Sequence, residues 1–330
     1  MKETLNKLTL HKTLSRLEAK EILINISKGD YNNSQVASFL TVFMIRDITL
    51  NELEGFKEAL LELCISVDLS DYNTIDLCGT GGDNKDTFNI STLSAFVTAG
   101  AGIKVAKHGN YGVSSSCGSS NVMENLGIKF SNNEDYLRKC IEKSGICILH
   151  APLFHPAMKH VAPIRKELGL KTFFNMLGPL VNPSFPKNQI VGVFSLELAR
   201  VYAYLFQKTD KNFSIIHSLD GYDEISLTGG VKIISNGSEE ILYPEDFKLN
   251  KLESKSIIGG RSIKESAEIF MSVLSNQSTE SQKKVVVANS ALAISTSTGV
   301  SIEEGISRAK ESLNSKNALK AFNTLKKLSE

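Results

Sequence analysis

The chain has 330 residues, of which 42% are hydrophobic and 22% charged, a composition typical of a globular protein with room for two packed domains. Its 37 basic and 36 acidic residues leave a net charge of +1, so no overall field attracts nucleic acid or an anionic membrane. We therefore expect no nucleic-acid partner. We also expect no membrane segment, because no apolar run approaches ~18 residues. Five cysteines without a C-x-x-C pair predict reduced thiols and a cytoplasmic location.

Residues 1–69 carry only helical patterns. The first amphipathic pattern begins with a capping box at Ser15 and Glu18, and further helices are predicted from just after Asn33 to about residue 45 and from about residue 51. These patterns predict an N-terminal helical domain.

From residue 74 onward, short apolar strands alternate with helices. The strands are predicted at 75–77, 103–106, 146–149, 190–194 and 213–217, with shorter ones at 233–234 and 241–242. The helices are predicted at 90–100, 118–126, 133–144, 197–208, 262–275, 280–294, 301–313 and beyond 319. This alternation indicates an α/β fold with helices packed on a sheet.

The clearest functional signal is a glycine-rich turn that follows the first predicted strand. Four small residues at 79–82 lead into Asp83, and Asn89, Ser91 and Thr92 then open a predicted helix. Such a turn presents unpaired backbone N–H groups, and glycine lets the backbone approach a bulky anion. The pattern matches neither G-x-G-x-x-G nor G-x-x-x-x-G-K-[ST]. We interpret it as a phosphate site, the alternative being an ordinary tight turn.

A second polar loop is predicted after the strand at 103–106. Residues 107–120 contain five serines, and Lys107 adds a point charge suited to phosphate. Because ligands of α/β sheets bind beyond the carboxyl ends of strands, both loops could face one ligand. A solvent-exposed loop is the simpler alternative.

An acidic pair, Asp223 and Glu224, follows the strand predicted at 213–217. Such a pair can hold Mg²⁺ together with substrate phosphates and water, although alone it is usually a hydrated turn. His150, His155 and His160 are spaced five apart and form no zinc-type cluster.

A fourth stretch, residues 155–169, is predicted to include a helix that presents Arg165. The planar guanidinium can bind a carboxylate through two parallel hydrogen bonds. A surface position is the default interpretation for an isolated arginine, so this assignment depends on the neighbouring motifs.

Six motifs in fixed order carry a family resemblance. They are Gly79-Thr80-Gly81-Gly82-Asp83, Asn89-Ile90-Ser91-Thr92, Lys107-His108-Gly109-Asn110, His155-Pro156-Ala157-Met158, Asn175-Met176-Leu177-Gly178-Pro179-Leu180 and Asp223-Glu224. Over essentially its whole length the chain resembles the anthranilate phosphoribosyltransferase family. The resemblance implies a helical domain at 1–70 with about 165–185, a larger domain at 71–330 with a central β-sheet flanked by helices, of the nucleoside phosphorylase and phosphoribosyltransferase type, and a homodimer through the helical domain.

The resemblance also implies the reaction and its residues. In tryptophan biosynthesis, the amine of anthranilate attacks C1 of 5-phosphoribosyl 1-pyrophosphate (PRPP) and pyrophosphate leaves. The expected PRPP-binding residues are Gly79, Gly82, Asp83, Thr87, Asn89, Ile90, Ser91, Thr92, Lys107, Ser115 and Ser119. The expected anthranilate contacts are Gly79, Asn110 and Arg165, with His108 and His155 lining the channel. Two Mg²⁺ ions are expected at Ser91, Asp223 and Glu224, and Asp83, Asn110 and Arg165 are the expected catalytic residues.

Three positions depart from the family pattern. Basic residues are common in the family where Tyr111 and Ser116 stand, and an aspartate is common where Asn121 stands. With two positive charges missing, Lys107 would carry more of the phosphate binding. We therefore expect weaker PRPP binding or a stronger dependence on Mg²⁺.

Two other functions are compatible with parts of this pattern. A pyrimidine nucleoside phosphorylase shares the architecture and a phosphate loop, but Lys107 to Asn110 and the acidic pair favour the transferase, since phosphorolysis needs no pyrophosphate-bound metal. A relative that binds nucleic acid on the same scaffold is disfavoured by the neutral net charge.

Overall fold

The computed structural model describes residues 1–112 and 117–330. The chain forms two compact units, one of residues 1–66 with 151–183 and one of residues 67–150 with 184–330. Helices and strands are numbered here in chain order.

The first unit is entirely helical. It contains α1 (Lys2–Thr9), α2 (Arg16–Lys28), α3 (Asn33–Ile45), α4 (Leu50–Glu62), α8 (Ala151–Phe154), α9 (Ala162–Leu168) and α10 (Phe174–Leu177), with 3₁₀ turns at Pro156–His160 and Gly178–Leu180. The predicted capping box at Ser15 and Glu18 is confirmed at the start of α2. The sequence gives little sign of α1, because Leu8 is its only buried residue.

Close packing of α2 on α4 depends on one glycine. A Cβ atom on Gly55 would lie 2.2 Å from the carbonyl oxygen of Arg16. Five phenylalanines fill the space beneath: Phe39, Phe43, Phe56, Phe173 and Phe174, with neighbouring ring centroids 4.4 to 6.2 Å apart. This cluster packs the segment 151–183, where the chain returns to the helical unit, against α3 and α4.

The second unit is built on a mixed sheet of seven strands in the order β3-β2-β1-β4-β5-β6-β7. The strands are β1 (Ile75–Leu77), β2 (Val105–Gly109), β3 (Ile146–His150), β4 (Asn188–Gly192), β5 (Asn212–Ser218), β6 (Val231–Ser235) and β7 (Ser238–Leu242). The first five of that order are parallel, and β6 and β7 are antiparallel additions. The predicted fold class, a helical domain followed by an α/β domain with a central sheet, is confirmed.

Strand β2 and helix α13 both extend further than the sequence predicted. Strand β2 continues through Lys107 and His108, which the sequence placed in a loop, because both pair with the edge strand β3. Helix α13 continues past the predicted residue 294 to Thr298, where Gly299 ends it in the left-handed conformation with φ 74°.

Helices surround this sheet. They are α5 (Ile90–Gly100), α6 (Ser119–Asn125), α7 (Glu134–Ser144), α11 (Leu196–Phe206), α12 (Ile263–Leu274), α13 (Glu280–Thr298), α14 (Ile302–Asn314) and α15 (Asn317–Ser329). Buried serines join α5 to α13, as Ser94 Oγ donates to the carbonyl of Val286 at 3.4 Å. Within the described ranges, no single helix is long and apolar enough to cross a bilayer; α13 and α14 meet that test only as a pair bent by 119°.

Candidate active site

The glycine-rich turn leaves β1 and passes along the end of β4. The N–H of Thr80 donates to the carbonyl of Gly192 at 2.8 Å, which holds the start of the turn against the sheet. Gly81 and Gly82 have φ values of 62° and 81°, a conformation that residues with a Cβ rarely adopt. The turn then leads to the N-terminus of α5, where the side chain of Asn89 forms no capping hydrogen bond. The positive end of the helix dipole at this point favours an anion.

The acidic pair lies directly against this turn. Asp223 Oδ2 accepts a hydrogen bond from the Gly81 N–H at 2.8 Å, although 142 residues separate the two. Glu224 Oε1 accepts from the Ser91 N–H at 3.2 Å, and the Asp223 N–H donates to Asp83 Oδ2 at 3.4 Å. The structure thus brings together two of the segments that the sequence singled out separately.

Two glycines make room for the acidic loop. A Cβ atom on Gly79 would lie 2.8 Å from Asp223 Oδ2, and one on Gly192 would lie 1.6 Å from the Asp223 carbonyl oxygen. Gly192 was not among the predicted site residues. Its one signal in the sequence is a glycine inside a predicted strand, which often marks close backbone approach.

Asn289 on α13 is a second residue that sequence reasoning missed. Its Oδ1 accepts from the Ile225 N–H at 3.0 Å, and its Nδ2 donates to the Ile225 carbonyl at 2.9 Å. Both bonds fix the backbone immediately after Glu224. Asn289 also lines a cavity of about 20 Å³ with Gly79 and Ser91, next to the acidic pair.

The acidic pair is costly to bury without a positive partner. Burial, together with the charge of Asp83, raises the pKa of Asp223 to about 7. Burial likewise raises the pKa of Glu224 well above its usual value, whereas the nearby ammonium of Lys107 opposes that shift. In the described part of the chain, Glu224 Oε2 has no hydrogen-bond partner. An added cation would relieve this arrangement.

These oxygens fit Mg²⁺ bound jointly with a phosphate ligand. Magnesium prefers one or two carboxylates and completes its octahedron with water and substrate phosphates. Across residues 1–112 and 117–330, no group of three or more His, Cys, Asp or Glu side chains is arranged to hold a metal. Further ligands would come from water and from the phosphates of the substrate.

Lys107 and His108 lie on β2, beside the turn. Lys107 is buried, and its Nζ donates to the carbonyl of Leu77 at 2.5 Å. His108 is also buried, and its N–H donates to Asp76 Oδ1 at 3.0 Å. The strand thus places the lysine charge at the carboxyl end of β1.

The loop after β2 is closed by its own polar groups. The Asn110 carbonyl accepts from the Ser120 N–H at 3.1 Å and from Ser119 Oγ at 3.2 Å. Asn121 Oδ1 accepts from the N–H groups of Gly112 and Gly118, both at 3.0 Å. An aspartate could accept the same two bonds, so the departure at Asn121 keeps this loop closure.

The remaining predicted PRPP-binding residues lie on the same loops or outside the described residues. Thr87 forms a short antiparallel bridge with Ile258, and Asn89 Nδ2 donates to the Cys117 carbonyl at 3.3 Å. Ile90 and Thr92 are buried in the first turn of α5, and Gly82 and Ser119 are partly exposed. Ser115 and Ser116 lie in the segment 113–116, outside the described residues.

Arg165 and His155 belong to the helical unit. The Arg165 guanidinium lies 5.2 Å from the ring centroid of Phe174, and its Nη2 donates to Asn175 Oδ1 at 3.2 Å. Burial lowers the pKa of Arg165 to about 10, so it stays protonated at neutral pH. Burial lowers the pKa of His155 to about 4, so that imidazole is neutral.

The two domains define the chain as a transferase. Residues 2–64 match the helical bundle domain of a glycosyl transferase family, and residues 71–319 match the a/b domain of that family. The chain is 70% identical to the anthranilate phosphoribosyltransferase of Flavobacterium psychrophilum over 90% of both chains, and 52% identical to that of Bacteroides fragilis over 89% of both. We conclude that it belongs to the anthranilate phosphoribosyltransferase family, which confirms the resemblance carried by the six motifs.

Solved structures agree with this membership. The enzyme of that name from Thermus thermophilus superposes with a TM-score of 0.90 at 30% identity, over 98% of both chains. The Saccharomyces cerevisiae enzyme in complex with PRPP and Mg superposes with a TM-score of 0.90 at 31% identity, over 98% of this chain and 96% of that one.

Proposed function

We propose that the protein transfers the phosphoribosyl group of PRPP to the amine of anthranilate and releases pyrophosphate. The observation that carries this proposal is the contact of Asp223 and Glu224 with the amides of Gly81 and Ser91. It places carboxylates suited to Mg²⁺ against the glycine turn and the first turn of α5, where the helix N-terminus favours a phosphate. A yeast relative was solved in complex with PRPP and Mg, which supports the same use of this site.

The donor site acts on the leaving group. Cleavage of the bond at C1 leaves positive charge on the ribose and negative charge on pyrophosphate, so fixed N–H donors aimed at pyrophosphate lower the barrier. Bound Mg²⁺ would add positive charge at the same place. We assign donor binding to the turn, the start of α5 and the loop after β2, through Gly79, Gly82, Asp83, Thr87, Asn89, Ile90, Ser91, Thr92, Lys107, Ser115 and Ser119. We assign two Mg²⁺ ions to Ser91, Asp223 and Glu224.

The acceptor site orients a neutral amine. An aryl amine is unprotonated at pH 7, so no strong base is needed and orientation against C1 is the main requirement. We assign the carboxylate of anthranilate to Arg165 and further acceptor contacts to Gly79, Asn110, His108 and His155. A neutral His155 suits an aromatic ligand, since it adds no charge.

The assembly and the compartment are further proposals. Leu10, Leu17, Ile45 and Leu170 of the helical unit are 57 to 77% exposed, which supports a homodimer formed through this unit. Light scattering on the purified protein would report twice the 36.1 kDa chain mass if this is correct. All five cysteines are free thiols, which supports a reducing, cytoplasmic compartment.

Anthranilate fluorescence provides the direct test of function. Mixing the purified protein with anthranilate, PRPP and Mg²⁺ should abolish the fluorescence in proportion to pyrophosphate released, and a chelator should stop the reaction. The same protein should not cleave a pyrimidine nucleoside with inorganic phosphate. Phosphorolysis without anthranilate consumption would establish the phosphorylase instead, and inactivity toward both substrate pairs would refute the proposed reaction.

A further inference from the structure

A stack of aromatic rings runs from the core of the helical unit to Arg165. The rings of Phe56 and Phe173 are stacked with centroids 4.4 Å apart and planes at 18°. Those of Phe173 and Phe174 are 4.6 Å apart at 23°. The guanidinium of Arg165 lies 5.2 Å from the centroid of Phe174. Because the three rings are at most 6% exposed, they give the guanidinium a rigid support.

Asn175 fixes the same guanidinium from a second direction. Its Oδ1 accepts from Arg165 Nη2 and from the Thr172 N–H, both at 3.2 Å. Its own N–H donates to the Thr172 carbonyl at 3.0 Å, which closes a tight turn. The acceptor oxygen is therefore held by the backbone and does not follow the arginine.

Arg165 keeps unused capacity for an anion. Within the described ranges, no carboxylate pairs with it, and its buried Nε has no hydrogen-bond partner. A buried guanidinium without a counter-charge is costly, and a bidentate carboxylate would satisfy it. The neutral amide of Asn175 holds the guanidinium without cancelling its charge.

We propose that Asn175 is a positioning residue that, with Phe174, orients Arg165 for the carboxylate of the acceptor and keeps its charge available. This inference rests on the proposed function. It also explains why an amide suits this position. An aspartate would form its own ion pair with Arg165 and would compete with the substrate carboxylate.

The decisive variant is Asn175→Asp, which keeps the size of the side chain and both of its acceptor roles. We expect the KM for anthranilate to rise roughly tenfold or more, because a charge-assisted hydrogen bond is lost, while the KM for PRPP stays within about twofold. Asn33→Asp is the matched control. It makes the same chemical change at an exposed residue, at the start of α3. The control should leave both KM values unchanged.

A double variant separates positioning from a general structural role. Since Asn175 acts through Arg165, the variant combining Arg165→Ala with Asn175→Asp should have the anthranilate KM of Arg165→Ala alone. Additive effects, or a change confined to the KM for PRPP, would overturn the inference. If Arg165→Ala left the anthranilate KM unchanged in an otherwise active enzyme, the assignment of Arg165 would fail as well.

Phe174→Leu tests the support of Arg165 at a second residue, so the inference can be checked even if Asn175→Asp folds poorly. Leucine preserves apolar packing but removes the aromatic face, so the anthranilate KM should rise roughly two- to thirtyfold, the range of a cation–π contact. Calorimetric titration with anthranilate should show the same loss without turnover. Unchanged affinity in folded Phe174→Leu protein would contradict the proposed support. An inactive wild-type enzyme would instead refute the function.

Discussion

The ring of Tyr111 meets the ring of His150 edge-on, with centroids 4.8 Å apart and planes at 77°. The Tyr111 hydroxyl donates to Glu124 Oε1 at 2.8 Å, and Phe130 stacks on His150 at 4.4 Å. Tyr111 stands where the family commonly has a basic residue. Here the position packs a loop in place and brings no positive charge to the donor site.

Restoring charge at this loop should strengthen donor binding. We expect the combined variant Tyr111→Arg and Ser116→Lys to lower the KM for PRPP by roughly three- to tenfold, because charged donors bind phosphate more strongly than neutral ones. The gain should be largest at low Mg²⁺. Initial rates at several PRPP and Mg²⁺ concentrations provide the measurement. Tyr111→Phe, which loses only the bond to Glu124, is the control, and an unchanged KM in the double variant would show that Lys107 suffices.

Removing charge from the acidic pair should separate metal use from stability. We expect the combined variant Asp223→Asn and Glu224→Gln to require at least about tenfold more Mg²⁺ for half-maximal rate, because two carboxylate ligands are lost. In chelator above pH 7, the same variant should melt a few degrees higher than the wild type, since two carboxyl groups that are costly to ionise in this buried setting become neutral amides. Metal titrations and thermal melts check the two effects. An unaltered Mg²⁺ titration would remove both residues from the metal site.

The close contact between Gly79 and Asp223 leaves no room for a side chain at position 79. Gly79→Ala would place a Cβ atom 2.8 Å from Asp223 Oδ2, so the acidic loop must shift. We expect kcat/KM for PRPP to fall by roughly a hundredfold, since small displacements at a reacting site are that costly. Gly229→Ala is the control, because a Cβ atom on Gly229 would lie 3.6 Å from the Asp220 side chain, a normal van der Waals distance. Equal activities of the two variants would show that the loop tolerates the shift.

Features with a local cause could be predicted from the sequence. The glycine turn and the capping box at Ser15 follow from residues within a few positions of one another. The sequence predicts that Asp223 and Gly81 both follow strands, but not that they are in contact, because the order of the strands decides which loops lie side by side.

Features created by packing between distant segments were missed. Asn289 reaches the acidic loop from a helix 64 residues away, and nothing near it in the chain indicates that contact. The stack of Phe56 on Phe173 joins α4 to the returning segment, so its effect on Arg165 emerges only from the folded unit. The end of β2 was missed for the same reason: Lys107 and His108 are polar, and they belong to the strand because they pair with β3, about 40 residues further along the chain.

Glu52 is a buried charge in the helical unit. It is fully buried on α4, and its two oxygens accept from Arg46 Nη2 at 2.5 Å, Arg46 Nη1 at 3.0 Å, and the N–H groups of Leu14 and Thr49 at 2.9 Å. Burial alone would raise the pKa of Glu52, but the hydrogen bonds from Arg46, Leu14 and Thr49 outweigh it and lower the pKa. The carboxylate therefore joins three segments of the unit.

Glu52→Gln should destabilise the protein by about 3–5 kcal/mol at pH 7, because Arg46 is left without its counter-charge in a buried setting. Since the pKa of Glu52 is lower in the folded state, its stabilisation is complete above the unfolded value of about 4.3 and is lost as the pH falls through the folded value. The difference between wild type and variant in urea unfolding should therefore shrink in acid. Glu58→Gln, which removes a more exposed partner of Arg16, should cost at most about 1 kcal/mol. A pH-independent difference at Glu52 would show that the lost stability comes from packing and not from the charge.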